Sequence, residues 1–212
     1  MFGCALRFLT YVVAHNVDRL FGDFIRHDLG HPQIDAAFRA VLRVSANSML
    51  QHDVEQAKLG WSHCLTLPQS AFGLSSVTTD RKLALAAALV WITAYRSVLS
   101  DRALDLGWQP QPVKDASVLE ALQTSPAAAA SRVWHAPDGE LSEIRRILAT
   151  EASIRNDVHL VKYTRACLDM GAFDPEHVRL YLAAAAHLCA VWMAEAPRAT
   201  IVEALLVGRI TP

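Results

Sequence analysis

Apolar residues recur at Phe2, Leu6, Leu9, Val13, Val17, Leu20 and Phe24, a helical spacing that predicts a first helix over Phe2–Phe24, frayed at Gly22 and Asp23. Leu29-Gly30-His31-Pro32 interrupts the pattern. It resumes through Ile34, Ala37, Phe38, Val41, Leu42 and Ser45, predicting a helix over Gln33–Leu50. Asp53 is placed to cap the next helix. On that helix Val54, Ala57, Trp61, Cys64 and Leu65 share one side, while Leu59, Gly60 and Leu67 fall on the other with His63 among them. A helix apolar on both sides is a buried one, so His63 is expected to point into protein. Pro68 is expected to end the run, because its ring disfavours a helical predecessor.

Gly73–Thr79 is read as a loop, and Thr79 or Asp80 as the cap of a long apolar helix to about Leu99. Gly107–Gln111 is loop, and Asp115–Gln123 is a short helix. Ser125–Gly139, with Pro126, Pro137 and an Asp138-Gly139 turn, is expected to be a mobile surface segment. Glu140–Ile154 is amphipathic through Leu141, Ile144, Ile147 and Leu148. Asp157–Met170 is helical, with Gly171 as its C-cap. Pro175 suits the first turn of a helix to about Ala194, and Pro197 opens a last helix to Val207. There is neither β alternation nor a fixed-period repeat. The expectation is a single all-α domain over 1–212, a bundle of about eight helices.

The 212 residues are 52% hydrophobic, enough for a sizeable core, and the net charge of −1 is spread without a run of one sign. That argues against a nucleic acid or an anionic membrane as partner. Cys4, Cys64, Cys167 and Cys189 are scattered and form no C-x-x-C pair, which points to reduced thiols in a cytoplasmic protein. Arg7 interrupts the apolar stretch Met1–Ala14 and no small-residue cleavage site follows, against a signal peptide. Leu83–Tyr95 is too short to span a bilayer and reads as a core helix.

Two stretches carry candidate chemistry. One holds His63. The other is NDVHLVKYTRACLDM, where His159 and Lys162 are three apart on one helix face and Asp157 stands at the helix start. That face can equally be a solvated strip, since Arg165 and Asp169 can pair with each other. A metal site needs several ligands converging from different helices, and His63 and His159 would supply two. Lysine ligates only as a carbamate, which requires burial to depress its pKa. His27-Asp28 and His52-Asp53 resemble the His-Asp doublet of the HD phosphohydrolases, but the surrounding pattern is incomplete. His135 and His177 read as solvated, and His187 as structural.

WSHCLTLPQSAFGL, with DVHLVKYTRACLDMG and DPEHVRLYLAAAAHLCAVW after it, resembles segments of the questin oxidase-like proteins. The likeness runs from about Gly60 to Trp192 and takes in the apolar helix with Trp91 and Tyr95. It corresponds to the C-terminal part of that family, whose members are longer. The resemblance implies an all-α fold and oxygen-dependent oxidation or ring cleavage of a polycyclic aromatic ketone. It also implies a non-haem iron site with His63, His159 and Lys162 as ligands and catalytic residues. The N-terminal half of the family supplies further histidines. A further ligand here would therefore come from His15, His27, His31 or His52, or the site is incomplete. HPQID at His31 is similar to a family His-Pro segment but stands too close to His63 to be that element. The alternatives are a truncated, inactive helical binding module and an HD-type phosphohydrolase. A homodimer is expected if a short chain leaves apolar surface for a second copy to cover.

Overall fold

The computed structural model describes residues 30–52, 54–100, 102–113, 116–155 and 157–195. These form eight α-helices and no strand: α1 His31–Gln51, α2 Ser62–Ser75, α3 Arg81–Leu99, α4 Val118–Thr124, α5 Pro126–Trp134, α6 Leu141–Ile154, α7 Val158–Phe173 and α8 Val178–Glu195. The fold is therefore all-α, as the apolar spacing predicts. The helices expected over Phe2–Phe24 and after Pro197 lie outside the described residues.

α8 is the hub. It is apolar nearly all round, and every residue from Leu180 to Trp192 is buried, as a helix wrapped by others must be. Its alanines, Ala183 to Ala186 and Ala190, let α5 and α7 approach closely. α1, α4 and α6 complete the surround. α2 and α3 form an antiparallel-type pair joined by a short loop, and this pair packs on α1, with α7 also against α2. By length and composition Arg81–Leu99 and Pro175–Ala194 could each cross a membrane, but 72% of the second is buried in the protein, as in a core helix. Only 28% of the first is buried. α3 thus turns Leu85, Ala88 and Ile92 inward and leaves Leu83 and Val98 outside, so it is not the core helix that its composition suggests.

Four local expectations are corrected. Ser125–Gly139 is not a loose segment but contains α5. The Ser125 hydroxyl accepts from Ala128 N, Pro126 occupies the first helical position, and the alanines that follow are strong helix formers. Ala129, Ala130 and Val133 then bury against α8. Pro68 does not end its helix: it lies buried inside α2, which continues to Ser75. Packing of α2 against α1 and α3 outweighs the lost backbone bond. Gly171 is not a C-cap; α7 runs on to Phe173. Its hydrogen side faces α8, where an added Cβ would stand 3.2 Å from Val178 Cγ2. Finally, the chain entering α2 is not a regular α-helix. It is a 3₁₀ turn over Val54–Gln56 followed by a π turn over Ala57–Trp61, and Asp53 lies outside the described residues.

Two buried carboxylates are paired with arginine. Asp174, almost inaccessible, takes both Arg43 nitrogens at 2.7 Å and the Tyr181 hydroxyl at 3.2 Å. Glu151 and Arg155, successive turns of α6 and its end, form a second interior pair at 3.2 Å. Cys64, Cys167 and Cys189 are buried free thiols.

Candidate functional site

The π turn sets the geometry. The π turn Ala57–Trp61 runs directly into α2 at Ser62, so His63 stands in the first turn of that helix. Gly60 lets α3 approach the turn: a Cβ there would lie 2.9 Å from Leu99 Cδ1. Ser62 donates to the Lys58 carbonyl at 2.5 Å and sits 3.4 Å from His63 Nδ1. Trp61 turns inward, fully buried, and carries His52 stacked on its face at 4.6 Å. His63, one residue on, is half-buried. Its ring faces side chains of two other helices, Tyr95 and His159, as expected of a side chain turned towards protein, although it is not fully buried.

α7 brings in the second imidazole. Asp157 caps α7, its Oδ1 accepting from His159 N at 2.8 Å and from Leu160 N at 3.0 Å. The same oxygen lies 3.7 Å from His159 Nδ1, so one carboxylate both starts the helix and faces the ring. The His159 and His63 rings meet edge-on, with centroids 5.6 Å apart and planes at 60°. α3 closes the third side. Tyr95 lies nearly parallel to His63 at 6.4 Å, and Trp91 leans on Tyr95 at 4.9 Å. The consecutive pair α2 and α3 and the distant α7 thus supply two half-buried imidazoles and an aromatic wall. Burial raises the Tyr95 phenol above its ordinary value, with Cys64 adding to the shift, so Tyr95 is a neutral hydrogen-bonding group near neutrality. Cys64 itself, wholly buried, is pushed up strongly by desolvation and is no nucleophile.

Lys162 is on the same helix as His159 but is exposed. The burial that would depress its amine and favour a carbamate is not provided. A different lysine is sheltered. Lys58 Nζ sits 3.9 Å above the Trp192 ring. Burial lowers its pKa, and the nearby Asp157 carboxylate partly restores it. The sequence carried no signal for Lys58 because the ring it meets, Trp192, belongs to α8, far along the chain.

Two imidazoles bound to one ion at about 2 Å and a tetrahedral angle have ring centroids roughly 5 Å apart, so the observed pair is near such a spacing. Two ligands do not make an iron site, however. Among the described residues no three His, Cys, Asp or Glu side chains converge to hold an ion. Of the further candidates, His15 and His27 lie outside the described residues, as do Asp28 and Asp53 of the His-Asp doublets. His52 Nε2 faces Arg96 Nη1 at 3.1 Å and Nδ1 faces Ser100 Oγ at 3.2 Å. An arginine only donates, so Nε2 is the accepting nitrogen and is committed. His31 stands at the far end of α1, with Nδ1 2.7 Å from Arg81 Nη1. It borders a cleft of about 660 Å³ at the starts of α1 and α3, lined also by Thr78, Thr79, Asp80 and Lys82. That cleft is separate from the imidazole pair. The described residues therefore fit two ligands of the implied iron and not a complete set.

His135 is exposed but donates from Nε2 to the Pro110 carbonyl at 2.8 Å, and His177 lies 3.6 Å from Asp174. His187 is buried in α8. No family model, no curated protein and no solved structure matches the chain.

Proposed function

We propose that this protein is an oxidoreductase of the questin oxidase type. Its substrate is a planar polycyclic aromatic ketone, its oxidant is dioxygen, and the reaction takes place in the hollow between His63, His159 and the Tyr95–Trp91 wall. What supports the reading above all is the 5.6 Å approach of His63 and His159, residues that the resemblance pairs and that lie far apart in sequence. Imidazole nitrogens beside the Tyr95 and Trp91 rings suit an aromatic ligand held against the edge of this ring cluster by hydrogen bonds to its oxygens. The two imidazoles are the groups of this site chemically suited to proton transfer. Asp157 Oδ1 lies 3.7 Å from His159 Nδ1, so a carboxylate faces that ring. No step is assigned to iron, for which the described residues offer only two ligands.

The test combines dioxygen uptake with a hydroxyanthraquinone, product mass and metal content, in the wild type and in His63→Ala and His159→Ala. The oxidase reading predicts ketone-dependent oxygen uptake, incorporation of oxygen into product, and loss of both in either variant. Uptake that is indifferent to both substitutions would sink it. The exposure of Lys162 and the incomplete ligand set favour a second reading, in which the same hollow binds an aromatic ligand without turnover. Binding that depends on His63 and His159 with no oxygen consumed selects that reading.

A further inference from the structure

We propose that the segment Phe2–Phe24, which precedes the described residues, lies antiparallel along the outer side of α3 and covers it. α3 carries no charged residue between Lys82 and Arg96. A helix with one side in water normally carries charge on that side. Its inner side, with Leu85, Ala88 and Ile92, meets the core of the bundle. Leu83, Ala87, Val90 and Val98 fall on the opposite side at 100° per residue. Leu83 is 62% exposed and Val98 42%; Ala87 is exposed and Val90 half-buried. Ala94, in the same row, is small and already buried. An uncharged apolar row of this length marks a contact surface.

The occupant follows from where the chain enters the bundle. α1 begins at His31, whose Nδ1 is 2.7 Å from Arg81 Nη1, and Arg81 Nη2 donates to Asp35 at 2.6 Å. The start of α1 is thereby tied to the start of α3, and the chain preceding Gly30 emerges there. That chain has its own apolar row. From Leu9 to Phe24 it steps by four, four, three and four residues, through Val13, Val17 and Leu20. From Val98 back to Leu83 the row on α3 takes the same steps, through Ala94, Val90 and Ala87. Steps of three and four are the spacing that seams two helices. As a helix, Phe2–Phe24 would be roughly 34 Å long against ~28 Å for the 19 residues of α3, enough to cover it end to end. Direction is set by reach. From Phe24 to His31 an extended chain spans at most ~24 Å, too little to start from the far end of α3. The segment therefore runs back from Leu83 towards Val98, which sets Phe24 beside Leu83, Leu20 beside Ala87, Val17 beside Val90 and Leu9 beside Val98. A short tether holds it at an effective concentration of about millimolar, which favours it over a second copy on the same face.

The test is disulfide cross-linking in the full chain with Cys4→Ser, oxidised by copper phenanthroline and read on a non-reducing gel. The matched pairs are Leu20→Cys with Ala87→Cys and Leu9→Cys with Val98→Cys. The mismatched pair is Leu9→Cys with Ala87→Cys. Both matched pairs should close within one chain at least about 10-fold faster than the mismatched one, since a disulfide needs its Cα atoms within about 7 Å. Should a matched pair fail to fold, Phe24→Cys with Leu83→Cys reads the same register. Equal rates for matched and mismatched pairs overturn the inference, as does the absence of any closure. Disulfide-linked dimers in place of closure within one chain put a second copy on α3 and overturn it too.

Discussion

His187 has a buried ring whose Nε2 meets no hydrogen-bond partner among the described residues. Burial lowers its pKa from 6.5 to about 4. The unfolded chain therefore takes the proton first. The associated stability is complete above pH 6.5 and is lost progressively as the pH falls towards 4, by up to ~3 kcal/mol. Urea midpoints measured across that window should fall with acid in the wild type, and His187→Leu should flatten the slope. Asp174 shows the opposite balance. Burial pushes its carboxyl up, but the Arg43 guanidinium more than offsets this and holds it below the usual carboxylate range. Asp174→Asn keeps the shape and removes the charge beneath Arg43 and Tyr181. It should cost about 2 kcal/mol in denaturant unfolding. Single residues were readable unevenly. His63 and His159 stood out because polar groups in apolar stretches need a reason. Lys58 did not, because the ring it meets stands far along the chain.

α5 was the element least visible beforehand. Pro126, Pro137 and Gly139 punctuate the stretch, and punctuation is usually read as loop. Yet Pro126 follows a capping serine, where proline starts helices as readily as it stops them. Ser125→Ala should cost about 1 kcal/mol by removing the acceptor for Ala128 N, read as a lower thermal midpoint. Ala130→Leu, set against the α8 alanines, should cost about 1–3 kcal/mol by overpacking. Pro68 teaches the reverse lesson. Local chemistry says stop, but the side of α2 that buries Cys64 and Leu65 is worth more than one backbone bond. Amphipathic elements such as α6, with Ile144 and Leu148 buried, were legible with nearly their observed bounds, because one apolar stripe suffices to define them.

The meeting of His63, Tyr95 and His159 exists only in the assembled bundle, since α2, α3 and α7 each contribute one ring and none is adjacent in the chain to both others. A ligand bound there stabilises the folded state alone, by about 2.7 kcal/mol at a concentration 100 times its Kd. For a chain of this size that is a rise of roughly 5–10 °C in Tm. A hydroxyanthraquinone should raise the wild-type Tm by this amount and leave His63→Ala and His159→Ala little changed in scanning calorimetry. Helical class, the core stripes and the two histidines were already present in the order of residues, because burial imposes a period on composition that needs no partner to be read. The meeting of those histidines, the shelter of Lys58 and the exposure of Lys162 were not. They follow from which helices cross, and a crossing is set by the summed fit of many side chains rather than by any local pattern.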